Sequence, residues 1–255
     1  MNAESIDTLN RTVIIRATPD IVFRFFTDSA RWASWWGAGS FIDARPGGRL
    51  SIRYPGGVEA AGEVVSIEIP RQIVFTYGYV SGKPIPVGGS RVTIDVEPHA
   101  DGTRLSLSHA LADPAVRQDH VQGWRYQLSL FANLVSAEQL AGAAGVADDW
   151  FAAWSIEETD ARRTALSAIA SSSVQFRDRF SAIDGLDELV PHIGASQRFM
   201  PGVSMKRHGD VRQCQGIVLA EWTATSSDGQ PRGAGTNVFQ FGPDGKVVSV
   251  TGFWQ

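Results

Sequence analysis

The spacing of hydrophobic positions changes several times along the chain, and each change marks an element. Between Val174 and Phe180 the period is two. Val174, Phe176, Asp178 and Phe180 fall on one face of a predicted strand, and Gln175, Arg177 and Arg179 on the other. Similar alternation predicts strands over Arg11–Arg16, Arg49–Tyr54, Glu59–Ile69, Ile73–Val80, Arg91–Glu97 and Arg104–His109. Glycine-rich turns at Pro46-Gly47-Gly48, Pro55-Gly56-Gly57 and Gly88-Gly89 separate several of these strands. Regular strands at this spacing predict an antiparallel meander.

After Asp113-Pro114 the period lengthens. Val121, Trp124, Leu128, Phe131 and Val135 recur at helical offsets, which predicts a long helix whose apolar face covers the sheet. Two shorter helices precede the meander. One opens at Thr18-Pro19-Asp20 and carries Val22, Phe23 and Phe26; the other begins near Asp28 and carries Trp32, Trp35 and Trp36. Small residues at Ala141-Gly142-Ala143-Ala144-Gly145 predict a hinge. The expected division is a first domain over 1–140, a linker over 141–147 and a second domain over 148–255.

The second half opens with a helix bearing Trp150, Phe151 and Trp154, followed by one bearing Leu166 and Ile169. The Val174 strand follows, then a helix from Leu186 with Leu189, Val190 and Ile193. Strands over Val203–Val211, Ile217–Thr225, Gly233–Phe241 and Val247–Trp254 finish it, the last two joined by a turn at Pro243-Asp244-Gly245-Lys246. Both halves therefore read as α+β.

Composition narrows the function. The chain has 255 residues, 43% of them hydrophobic, and a formal net charge of -4. Without a basic run, nucleic acid is not an expected partner. The single cysteine, Cys214, excludes an intrachain disulfide and reads as a small buried hydrophobe in a reducing compartment. The opening Met1-Asn2-Ala3-Glu4-Ser5 has no secretory pattern, and no apolar run is long enough to span a membrane. A cytoplasmic protein with no membrane partner is expected. The five histidines show no metal-binding spacing, and no dinucleotide-binding glycine pattern opens a helix. No metal and no cofactor are expected.

Asp178 stands among apolar neighbours. Two readings follow: a carboxyl in an apolar cavity, suited to acid–base work, or a carboxylate at a strand end that caps a turn.

Several motifs then carry a resemblance. Pro19-Asp20-Ile21-Val22-Phe23, Trp35-Trp36, Arg45-Pro46-Gly47-Gly48, Gly62-Glu63-Val64 and Gly123-Trp124 occur in order. Over roughly residues 9–140 the chain resembles the START-like (SRPBCC, helix-grip) superfamily, within it the group named after the activator of heat-shock-protein-90 ATPase. The resemblance implies a curved sheet gripping a long helix around an apolar cavity. If the strand faces line that cavity, Tyr54, Tyr77 and His109 are its polar handles and Trp124 part of its wall; His109 reads equally as a core histidine bonded to backbone.

Residues 143–255 resemble the nuclear-transport-factor-2-like, SnoaL-like superfamily. The match rests on the Trp150–Trp154 helix, Asp178 with Gly185 and its helix, Thr236-Asn237-Val238-Phe239-Gln240-Phe241, Asp244-Gly245-Lys246 and Gly252-Phe253-Trp254. The resemblance implies a cone of bent sheet with an apolar pocket. It places Asp178 where ketosteroid isomerases of the superfamily hold their base. Asn237 falls where they hold a protonated acid, and Trp150 roughly where they hold a tyrosine. Trp222, Phe239 and Trp254 would join the pocket wall, or serve as core. Two of three polar roles are altered.

The expected function is binding of an apolar small molecule in one or both cavities, with Asp178 as base and Asn237 as oxyanion donor in a cofactor-free isomerase, cyclase or dehydratase. The alternatives are a non-catalytic binding or dimerisation protein and, from the family name alone, a chaperone ATPase activator. A homodimer through the open sheet of the second half is a further implication of resemblance.

Overall fold

The computed structural model describes residues 8–255. The chain is mixed α+β and forms two compact units, divided between Glu138 and Gln139.

The first unit contains β1 (Thr8–Ile15), α1 (Pro19–Arg24), α2 (Ser29–Trp36), β2 (Phe41–Ile42), β3 (Arg49–Arg53), β4 (Glu59–Glu68), β5 (Gln72–Tyr79), β6 (Ser90–His99), β7 (Gly102–Ala110) and α3 (Pro114–Gln139). Its strands form one antiparallel sheet in the order β1-β7-β6-β5-β4-β3-β2. The meander runs from β2 to β7, and β1 closes onto its far end, Thr8 opposite Ala110. The Asp28 side chain accepts the Arg31 N–H and starts α2, which buries Trp32, Trp35 and Trp36. Helix α3 lays Trp124, Leu128, Phe131 and Val135 onto the same core. Gly78 permits one further contact. A Cβ there would meet the Pro86 carbonyl oxygen at 1.9 Å, so only glycine lets the 80–89 loop fold back against β5.

The second unit contains α4 (Ala143–Ala153), α5 (Thr159–Ile169), β8 (Ala170–Asp178), β9 (Ser181–Asp184), α6 (Leu186–Phe199), β10 (Ser204–Cys214), β11 (Ile217–Thr225), β12 (Pro231–Phe241) and β13 (Val247–Trp254). Its sheet runs β10-β11-β12-β13-β8-β9. The β13–β8 pair is parallel and the rest are antiparallel.

Three expectations change. Residues 143–147 are not linker but the start of α4, because Ala143 and Ala147 are buried in the core of the second unit. The strand expected to reach Phe180 stops at Asp178, where Arg179 and Phe180 form a two-residue reversal into β9. Phe180 is consequently 67% exposed. Cys214 is exposed, at the end of β10, the edge strand of its sheet. Among the described residues no helix is long and apolar enough to cross a membrane.

Candidate functional site

The first unit holds a cavity of about 820 Å³. Strand alternation brings Tyr77 and Tyr79 to it from β5, and Tyr54 follows β3. From α3 come His120, Trp124 and Gln127, at offsets of four and three on one helix face. Trp36, the last residue of α2, completes the aromatic wall, with ring centroids 5.8 Å from Tyr54 and 5.6 Å from Trp124. The folded-back loop contributes Ser81, Lys83 and Pro84.

The polar groups are ordered by hydrogen bonds whose direction follows from chemistry. The Tyr54 and Tyr77 hydroxyls lie 3.0 Å apart. Burial pushes both phenols well above their ordinary range, Tyr77 further because Tyr54 adds to the effect, so both stay protonated.

Two histidines sit beside this pair in opposite tautomers. The Trp124 indole can only donate, and its Nε1 is 3.0 Å from His109 Nδ1, so that nitrogen carries no proton. The proton of neutral His109 is therefore on Nε2 and donates to Ser90 Oγ at 2.9 Å, while Ser90 donates to the Tyr77 carbonyl at 2.9 Å. Burial, together with the charge of His120, lowers the His109 pKa to about 3. Both ring nitrogens are engaged, and His109 stands behind the wall as a brace for Trp124 and β5. His120 reverses the arrangement. Its Nδ1 lies 2.7 Å from the Val116 carbonyl, which can only accept, so in the neutral ring Nε2 is an acceptor for the Tyr79 hydroxyl at 3.3 Å.

Of the residues expected at this cavity, Tyr54, Tyr77 and Trp124 line it and His109 does not. Tyr79, His120 and Gln127 line it without having been singled out. The signal for His120 was its place four residues before Trp124. The helical stripe read from Val121 onward starts one residue too late to include it.

In the second unit the structure brings Asp178, Trp254, Trp222 and Asn237 into one connected group. Asp178 Oδ1 accepts the Phe180 N–H at 2.8 Å, and Oδ2 accepts the Trp254 indole N–H at 3.1 Å. Trp254 meets Trp222 edge-to-face at 5.0 Å, and the Trp222 indole donates to Asn237 Oδ1 at 3.0 Å. Because an indole can only donate, the Asn237 amide oxygen is the atom facing it. A Cβ on Gly235 would meet the Trp222 ring at 2.6 Å, so glycine allows that ring to lie on β12. Of the two readings of Asp178, the structure departs from the carboxyl in an apolar cavity and agrees with the strand-end cap: it is half-buried and caps the β8–β9 turn. Asn237 is buried. Trp150 and Phe239 are fully buried and in mutual edge contact at 5.9 Å. Among the described residues no group of histidine, cysteine and carboxylates could hold a metal.

A seven-stranded antiparallel sheet closed by a long helix over an aromatic cavity defines the first unit as a helix-grip domain. Its residues 16–136 match the family model described as activator of Hsp90 ATPase homolog 1-like protein, and a domain of that family occupies this part of the chain. No curated protein matches the chain. Solved structures do, each over about half of it. An AHSA1 protein from Silicibacter pomeroyi is 26% identical over 49% of this chain and 95% of its own, with a TM-score of 0.41. The Aha1 dimer from Colwellia psychrerythraea is 16% identical over 49% and 92%, with a TM-score of 0.41. A SnoaL-like family protein from Agrobacterium tumefaciens is 22% identical over 46% and 98%, with a TM-score of 0.43.

Proposed function

We propose that the first unit binds an apolar small molecule carrying one hydrogen-bonding oxygen. The observation that carries this reading is the aromatic cavity of about 820 Å³ with the Tyr54–Tyr77 hydroxyl pair in its wall. Such walls gain roughly 25 cal/mol for each Å² of apolar surface removed from water, and a few placed polar groups set orientation. Two phenol hydrogens share one bond between the tyrosines, which leaves one to donate to a ligand oxygen. The Tyr79 hydroxyl, whose hydrogen is directed to His120 Nε2, offers its oxygen as a second polar contact.

Acid–base chemistry at Asp178 is not part of this reading. Both its oxygens already hold N–H donors of its own unit, and it lies outside the lining of this cavity.

The test is native mass spectrometry of gently purified protein, followed by titration of tryptophan fluorescence with the retained compound, since Trp36 and Trp124 line the cavity. Tyr77→Phe should weaken an oxygenated ligand about tenfold, the equivalent of one hydrogen bond, and leave its hydrocarbon analogue unchanged. A clean apo mass together with no quenching by either compound would refute the reading.

A further inference from the structure

The second unit buries a guanidinium whose hydrogen bonds all go to neutral groups. Arg162, on α5, is only 2% exposed. Arginine is rarely buried to this degree unless a carboxylate pairs with it. Here its partners are neutral. Nε donates to the Ile156 carbonyl at 2.9 Å, and Nη2 to the Glu157 carbonyl at 2.9 Å and to Gln197 Oε1 at 3.2 Å. Nη1 donates to the Val190 carbonyl at 2.7 Å. These bonds pin the α4–α5 connection to α6 and account for four of the five N–H groups. Glu158, four residues before Arg162, feels its charge but makes no hydrogen bond to it; it is turned to the N-terminus of α5, where it accepts the Asp160 and Ala161 N–H groups at 2.9 and 2.5 Å. The remaining hydrogen is on Nη1.

What makes room for Nη1 beside α6 is a glycine. A Cβ built on Gly194 would lie 2.8 Å from Nη1. Glycine inside a helix costs about 1 kcal/mol relative to alanine, and here its lack of a side chain lets the guanidinium pack against the helix at the edge of a cavity. Gly194 and Arg162 both line a cavity of about 700 Å³ that is separate from the one in the first unit. Arg198, one helical turn beyond Gly194, lines it too, while Pro191, Met200 and Val203 give it an apolar side. Glu157 is also in the lining and opposes multiply charged ligands.

We propose that this cavity is a binding site for a small amphiphile with a singly charged oxyanion head, the head resting on Arg162 and Arg198 and the tail on Pro191, Met200 and Val203. A carboxylate and, below its second pKa of about 6, a phosphate monoester share the required chemistry. An ion received by a buried guanidinium gains far more than at a surface, because the surroundings screen it less.

The experiment is calorimetric titration of the full chain at about pH 5.5, where both anions are mainly singly charged, with octanoate, octyl phosphate and 1-octanol, paired with nitrogen NMR of the arginine guanidinium groups. Octanoate or octyl phosphate should bind at least tenfold tighter than octanol and should shift the Arg162 signal; which of the two is tighter names the head group. Gly194→Ala would put a Cβ 2.8 Å from Nη1, too close for the guanidinium to keep its place, and should weaken the anion at least tenfold. Arg198→Gln should weaken it by about threefold or more and decides the matter if Gly194→Ala proves unstable. Equal affinity for octanoate and octanol, no anion binding at all, or anion binding that leaves the Arg162 signal unmoved would each overturn the proposal. Tyr77→Phe should leave the anion affinity unchanged, which separates this site from the cavity of the first unit.

Discussion

The two units place aromatic side chains against a sheet to opposite ends. In the first, Tyr54, Tyr77, Tyr79, Trp36 and Trp124 stand around an open volume with their polar atoms linked in pairs. In the second, Trp150 meets Phe176 and Phe239 directly, and all three are buried. The difference lies in the residue types. Tyrosines bring hydroxyls that need partners, so a wall built from them stays spaced and wettable, whereas phenylalanines close on each other. Both ring nitrogens are engaged in His109 and in His120 alike, but His109 is buried behind the wall whereas His120 lines the cavity.

The largest test of this contrast is Phe239→Ala. In a filled interior it should cost about 3–5 kcal/mol in denaturant unfolding. A loss under about 1 kcal/mol would mean that the surroundings of Phe239 are as open as the cavity of the first unit. Next comes acid. The His109 pKa falls from 6.5 in the ordinary ring to about 3 in the fold, so below pH 6.5 the unfolded chain takes up a proton that the folded one refuses. Stability is therefore full above pH 6.5 and declines as pH falls toward 3, with a slope approaching about 1.4 kcal/mol per pH unit. Urea midpoints measured at pH 6, 5 and 4 check this, and a contribution absent from that window would show His109 to be free to protonate. The smallest effect is at Asp178. As a turn cap it should cost about 1 kcal/mol when changed to Ala and less when changed to Asn, which keeps an acceptor oxygen. An Asn variant more stable than the parent would instead identify a carboxylate held against its preference.

Much of this architecture was legible in the sequence. Period-two alternation located the meander strands, and the Trp124–Val135 stripe located α3, because burial of one face leaves a repeating mark. Features that depend on a single residue left none. The alternation through Phe180 ran past the end of β8, since Arg179 and Phe180 turn the chain while still obeying the pattern. Cys214 obeys its strand too, but β10 is an edge and its positions are largely uncovered. His120 escaped notice because a cavity wall, unlike a core, admits polar residues at the stripe's margin. The engaged state of His109 depends on Ser90 and Trp124, which lie on two other elements and come together only in three dimensions.

The order of strands in the second unit has a consequence for how the protein is made. β8 is complete at residue 178, but its parallel partner β13 spans Val247–Trp254 and lies between β12 and β8. At a synthesis rate of about 5–20 residues per second, β8 waits some seconds with only the short β9 hairpin beside it. During that time its unpaired edge is open to other chains and to chaperones. β13, the strand that joins the two half-sheets, is made after every other strand of the unit, so this unit closes only once all its other elements have been translated.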